Sequence, residues 1–222
     1  MLWPRKNIPD AANKASMFIT LEGLDGSGKT TQVQRLIAWL QTRGQTVVSV
    51  REPGSTHIGD SVRAILHDRG NTNIDPKTEL LLYCAARAQL IPEHIQPSLK
   101  AGAIVVCDRF IDSTLAYQGY GRGIELGFLR TLLAFVTGGL MPDLTFYLDV
   151  DPERALQRRS ASGEEMTRLD VEAIEFHRRV RDGYRNLIAQ DPARWQVIDA
   201  TQTPEQIASA IQHVLGAKLG GP

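Results

Sequence analysis

The sequence predicts an α/β fold, with five parallel strands in one sheet flanked by helices. Three observations carry that prediction. Short apolar runs of strand length alternate along the chain with segments of helical period. The run Ala103-Ile104-Val105-Val106-Cys107 is apolar throughout, as a strand buried on both faces of a parallel sheet requires. The 222 residues, 42% hydrophobic and 23% charged, suit one globular domain with a substantial core.

The elements follow in order. Residues 17–22 form the first strand. After a glycine-rich turn, Val33, Leu36, Ile37 and Leu40 fall at helical spacing before a stop at Gly44. Residues 46–50 form the second strand, and 61–67 and 76–90 the next helices, the latter with a Leu80-Leu81-Leu82 core run. Residues 103–107, 144–150 and 195–198 complete the strands, and helical patterns at 171–189 and 204–215 fill gaps between and after them. In such a sheet, ligands bind outside the carboxyl ends of the strands.

Twenty-five lysines and arginines balance twenty-five aspartates and glutamates. Zero net charge argues against a protein that coats duplex nucleic acid, but not against one anion held in a focused pocket. Within the balance stand 19 arginines against 6 lysines. Arginine is the better fork for phosphate oxygens, and codon bias would produce the same excess. Cys84 and Cys107 lie in apolar stretches, which fits a reducing, cytoplasmic setting better than a disulfide framework. No run approaches membrane-spanning length. Residues 1–16, with Arg5, Lys6 and Lys14, lack the apolar core of a signal peptide and read as a flexible arm ahead of a single domain at 17–222. The five histidines show no metal-ligand spacing, and the Arg178-Arg179-Val180-Arg181 run reads as an ion-paired helix face.

The strongest signal is Gly23-Leu24-Asp25-Gly26-Ser27-Gly28-Lys29-Thr30, a full G-x-x-x-x-G-K-[ST] match between a strand and an amphipathic helix. Its glycines let backbone N–H groups curl around a phosphate chain, and the helix adds its positive end. Lys29 brings a charge to the β- and γ-oxygens, and the Thr30 hydroxyl is suited to Mg²⁺. A nucleoside triphosphate is expected here, on a three-layer P-loop NTPase fold. The chain has no N-K-x-D guanine-reading segment, so a GTPase is disfavoured; motor ATPases need more chain or more partner surface.

Four further segments sit near the same strand ends: Arg51-Glu52-Pro53-Gly54, Tyr83-Cys84-Ala85-Ala86-Arg87, Asp108-Arg109-Phe110, and Ser113-Thr114-Leu115-Ala116-Tyr117-Gln118-Gly119-Tyr120-Gly121-Arg122-Gly123. Together with the phosphate loop, in this order and spacing, they closely resemble the thymidylate kinase (dTMP kinase) family of nucleoside monophosphate kinases. The resemblance runs from about residue 17 to about residue 215.

The resemblance implies phosphorylation of dTMP to dTDP with ATP and Mg²⁺, a step of dTTP biosynthesis, by a cytoplasmic homodimer. It also implies roles. Asp25 would accept a hydrogen bond from the deoxyribose 3′-OH, Arg51 would grip the acceptor phosphate, and Arg109 would lie between donor and acceptor phosphates. Asp108 would join Thr30 at the metal, and Glu52 would support Arg51 or the metal shell. Tyr83 would stack on the base, Arg87 donate to thymine O4, Thr114 and Gln118 bond the N3 side, and Tyr117 crowd the sugar 2′ position. At Gly26 one subgroup carries an arginine that reaches the transferred phosphate. This chain lacks it and resembles the subgroup that supplies the charge from a mobile lid, here about 158–170, with Arg159 and Arg168 ahead of Arg158. Two alternatives remain at this stage: a kinase for another deoxynucleotide or a deoxynucleoside, and a nucleotide-driven regulatory module whose slow ATP hydrolysis ignores dTMP.

Overall fold

The computed structural model describes residues 16–163 and 165–220. The expected arm at 1–16 lies outside them except for Ser16. One five-stranded sheet runs in the order β2-β3-β1-β4-β5, with every pairing parallel. Its strands are β1 (Met17–Glu22), β2 (Val47–Arg51), β3 (Ile104–Asp108), β4 (Leu144–Asp149) and β5 (Trp195–Asp199). The predicted α/β class and strand count are therefore found, with β2, β3 and β5 each ending one residue later than expected.

Burial follows position in the sheet. In the three central strands Phe18 to Leu21, Ile104 to Cys107 and Leu144 to Leu148 are all buried, because helices cover both faces. The edge strand β5 is covered less completely: Trp195 and Ile198 are buried while Val197 is exposed.

Helix α1 (Lys29–Thr42) packs on β1, β2 and β3 and against α9 (Pro204–Lys218). Helix α2 (His57–His67) packs on α3 (Pro76–Leu90). It starts four residues earlier than predicted, because Thr56 caps it by accepting from the Gly59 N–H at 2.8 Å. A π-helical turn, Ile91–Ile95, carries α3 into the short α4 (Gln96–Lys100). After β3, α5 (Ile111–Thr114) widens into a second π-helical segment, Leu115–Gly121, which packs against α8 (Ile174–Gln190). Helices α6 (Leu126–Thr137) and α7 (Pro152–Ala161) complete the set. Residues 171–173, expected as the start of α8, are irregular: the preceding turn is tied by Asp170, which accepts from the Thr167 N–H at 2.7 Å and hydroxyl at 2.9 Å.

A buried polar network ties the sheet to α5 and joins two of its strands. Arg194, just before β5, donates to both carboxylate oxygens of Asp112 on α5 at 2.7 and 2.9 Å and to Thr145 Oγ1 at 2.7 Å. Thr145 in turn meets Thr20 at 2.8 Å across β4 and β1. All four side chains are buried.

Candidate active site

The carboxyl ends of β1, β2 and β3 open into one cleft of about 680 Å³, walled by α1, α2, α3, α7 and the π-helical segment. The phosphate loop forms one end. Lys29 Nζ donates to the carbonyls of Gly23 at 3.1 Å and Leu24 at 2.9 Å and stands 3.7 Å from Asp25. Burial and the nearby Arg109 depress its pKa, while Asp25, Asp108 and Glu22 pull it back up. Thr30 Oγ1 donates to Asp108 Oδ2 at 3.2 Å. A hydroxyl beside a single carboxylate at the mouth of a phosphate loop is an all-oxygen set, which fits Mg²⁺ shared with a nucleotide's phosphates.

Helix α7 crosses directly over this loop. At Gly26, φ is 81°, and a Cβ there would lie 2.0 Å from the Ala155 carbonyl oxygen and 3.2 Å from Arg159 Cβ. Only glycine fits that approach. The expected lid at 158–170 divides into parts. Arg158 and Arg159 belong to α7 and reach the cleft wall. Arg158 donates to the Ala200 carbonyl at 2.7 Å, and Arg159 to Asp170 at 3.1 Å and the Glu165 carbonyl at 2.8 Å. Arg168, expected at the phosphates, does not line the cleft: it is buried and ion-paired with Glu79 on α3. The physical reason is that a carboxylate as deeply buried as Glu79 needs countercharge and hydrogen bonds, and Arg168 helps to supply both.

Past the loop lies the end formed by β3, α3 and the π-helical segment. Arg109 adopts φ 71°, rare for a side chain larger than glycine's, and its N–H bonds the Leu21 carbonyl at 3.0 Å. Its guanidinium meets Asp25 at 2.8 Å, Tyr117 Oη at 3.1 Å and Ser113 Oγ at 2.9 Å, and lies 4.9 Å from the centre of the Tyr117 ring. Burial pushes the Asp25 carboxyl up, but Arg109 and Lys29 outweigh it and hold the group well below the usual carboxylate range.

Arg87 is 1% exposed. Its Nε and Nη2 clasp Glu52, Nη2 also reaches the Phe110 carbonyl at 3.0 Å, and Nη1 donates to Thr114 Oγ1 at 3.0 Å. Four of its five N–H groups are thus taken among the described residues and one on Nη1 is left, and Arg87 is among the residues that line the cleft. Tyr83 and Gln118 line the same end; burial pushes the Tyr83 phenol up, so it stays neutral. Arg51 is half-exposed at the outer rim, 3.3 Å from Asp60.

The family model described as Thymidylate kinase matches residues 21–211. The chain belongs to the thymidylate kinase family. It is 49% identical to a thymidylate kinase of Roseiflexus castenholzii over 212 residues, 90% of this chain and 93% of that one. It is 48% identical to one of Solidesulfovibrio magneticus over 209 residues, 91% of this chain and all of that one. Among solved structures it resembles the crystal structure of thymidylate kinase from Ehrlichia chaffeensis, with TM-score 0.76 and 37% identity, over 90% of this chain and 99% of that one. Family membership makes the chain a phosphotransferase, as the sequence resemblance implied.

As a thymidylate kinase family member, the chain also shows cleft residues that sequence reading missed. Arg63 of α2 lines the outer rim with Arg51, donating to the Pro53 carbonyl at 3.1 Å. Its signal was available: Val62 and Leu66 mark the buried face of α2, and Arg63 and His67 follow them by one position. Burial and Arg63 push His67 down to about 4, so it is neutral near pH 7. Glu52, read as support for Arg51 or a metal, is instead the buried partner of Arg87.

Glu22, the last residue of β1, was also missed. It accepts from the Phe110 N–H at 2.8 Å, from Ser113 Oγ at 2.6 Å and from Tyr184 Oη at 2.8 Å. Burial and the neighbouring Asp112 push it up to about 7, against the opposing pull of Arg109, Ser113 and Tyr184. The native protein then keeps a proton that the unfolded chain has released, so this group lowers stability as pH rises from about 4.5 to about 7. Denaturation midpoints across that window should fall more steeply for the natural protein than for Glu22→Gln; parallel curves would refute the assignment.

Proposed function

We propose that the chain transfers the γ-phosphoryl group of ATP to dTMP, giving ADP and dTDP, and so serves dTTP biosynthesis. A phosphate oxygen of dTMP attacks the γ-phosphorus in line while the bond to the ADP oxygen breaks. The observation that carries this reading is one continuous cleft with a phosphate loop at one end and Tyr83, Arg87, Thr114 and Gln118 at the other, with arginines between and around them.

In this reading the residues work by placement and charge, the main resources of phosphoryl transfer. Residues Gly23 to Thr30 cradle the triphosphate, with Lys29 on its β- and γ-oxygens. Thr30 and Asp108 would hold Mg²⁺, which when bound draws charge from those oxygens. Arg109 spans the donor and acceptor phosphates, and Asp25 holds the deoxyribose 3′-OH. Arg51 and Arg63 take the acceptor phosphate. Arg159, over Gly26, supplies the charge that the loop itself lacks, while Arg168 anchors the lid segment on Glu79. Tyr83 stacks on thymine, Arg87 donates its remaining Nη1–H to O4, Thr114 and Gln118 complete the N3 side, and Tyr117 crowds the 2′ position.

A coupled assay over dTMP, dUMP, dCMP, dGMP and dAMP tests the reading. Turnover should be greatest with dTMP, and dUMP should retain activity because a methyl group supplies only about 1–3 kcal/mol of discrimination. No turnover with dTMP overturns it, and slow ATP hydrolysis indifferent to dTMP would be the mark of a regulatory module. The homodimer and cytoplasmic residence belong to the same proposal. Light scattering tests the first; the second is supported by Cys84 and Cys107, both buried and free of disulfides. No helix among the described residues is long and apolar enough to cross a membrane.

A further inference from the structure

Glu79 has no part in the chemistry above, yet it is fully buried at the base end of the cleft. It lies on α3 one turn before Tyr83 and two before Arg87, so the three side chains share one helical stripe. Three residues donate to it. Gln118 Nε2 reaches Oε1 at 2.8 Å, Arg122 spans both oxygens at 3.3 and 3.1 Å, and Arg168 closes on Oε2. Burial pushes the carboxyl up, but hydrogen bonds from Arg122, Gln118 and Arg168 outweigh that and hold it below its ordinary value. Glu79 is therefore ionised and has no hydrogen to give.

An amide side chain has a donor end and an acceptor end. Against an acceptor-only carboxylate, Gln118 must turn its NH₂ inward, which sends its carbonyl Oε1 the other way. That oxygen accepts nothing among the described residues and is not enclosed by them, and Gln118 lines the cleft.

We propose that Glu79 sets the base specificity of the site: by accepting the Gln118 amide N–H, it fixes Gln118 Oε1 as a hydrogen-bond acceptor facing the base. This rests on the reading of the cleft as a nucleotide-base site. Thymine presents a ring N3–H there, which Oε1 accepts. Cytosine presents a lone pair, and two acceptors facing each other in a water-poor pocket are repelled. Glu52 does part of the corresponding work for Arg87: together with the Phe110 carbonyl and Thr114 it occupies the other donors and leaves one N–H for a carbonyl at position 4. Glu79 is thus a positioning residue that acts through Gln118.

The test is the ratio of kcat/KM for dCMP to that for dTMP. In Glu79→Gln the new amide can offer either end, so Gln118 is free to invert, and the ratio should rise by about tenfold. Arg87 still opposes the cytosine amino group, so preference relaxes without reversing. Glu79→Asp keeps an acceptor-only partner and should hold the ratio within about threefold of wild type even if turnover falls. The double variant Glu79→Gln with Gln118→Glu exchanges the two ends and puts a carboxylate oxygen toward the base, so its ratio should return to the same range. A folded Glu79→Gln protein with an unchanged ratio overturns the proposal. So does a tenfold rise in Glu79→Asp or in the double variant, either of which decides the matter if Glu79→Gln does not fold. A wild-type protein without dTMP turnover would instead refute the kinase reading itself, which keeps the two failures apart.

Discussion

Arg109→Ala should lower kcat by about 10²–10³-fold with saturating ATP and dTMP, the usual loss when one fixed donor to developing charge is removed. The guanidinium is held on several sides before any substrate arrives: by Asp25, Ser113, the Tyr117 hydroxyl and the face of the Tyr117 ring. Its main chain is fixed in the left-handed region by the bond from its N–H to Leu21. Such prior fixing is what lets a cation act on a transition state without reorganising. The fold should survive the change. Asp25 is partly exposed and can be solvated, and Glu22, already raised to about 7, can keep its proton once Arg109 no longer draws it down. A circular dichroism melt alongside steady-state kinetics separates the two effects, and near-normal kcat in the folded variant removes Arg109 from the transfer step.

Arg194→Ala should act the other way, on stability far more than on rate. Arg194 and Asp112 are almost wholly buried, and the arginine makes three bonds of 2.7 to 2.9 Å to Asp112 and Thr145. Truncation leaves the carboxylate buried without its countercharge, which costs about 3–5 kcal/mol. For a domain of this length that corresponds to a fall in Tm of roughly 6–20 °C. Adding Asp112→Asn to the same variant should recover part of the loss, because the stranded charge is then gone. A melting temperature unmoved by Arg194→Ala would mean that the pair contributes nothing net. Nothing in this cluster touches the cleft, so kcat of the surviving folded fraction at low temperature should be close to wild type.

The sequence disclosed what is local. The phosphate loop is eight consecutive residues, and its identity, its turn and its helix can be read together. Central strands such as 103–107 announce themselves by unbroken apolarity. Arg109 and Asp108 are visible because they end such a run. What stayed hidden is what depends on distant partners. Glu79 meets Gln118, Arg122 and Arg168 across 39, 43 and 89 residues, and Arg194 meets Asp112 across 82. A lone glutamate on an amphipathic helix gives no sign of such company. The pairing of Arg168 was hidden for the same reason: resemblance to the lid-bearing subgroup pointed it at the phosphates, and only the fold reveals a buried carboxylate within its reach. The π-helical segment was also illegible, since six of its seven residues are buried and no one-sided apolar period marks it, yet it carries Tyr117 and Gln118.

The crossing of α7 over Gly26 constrains how a chain of this kind can change by mutation. The Ala155 backbone fills the space where a side chain at position 26 would begin, so an arginine cannot enter the phosphate loop by a single substitution. Helix α7 would first have to withdraw, taking Arg159 away from the loop. An intermediate sequence then has neither charge in place. On the proposed role of Arg159, the two ways of bringing an arginine to the transferred phosphate are therefore separated by a valley of slow enzymes, and lineages using one should exchange it for the other only when loop and helix change together.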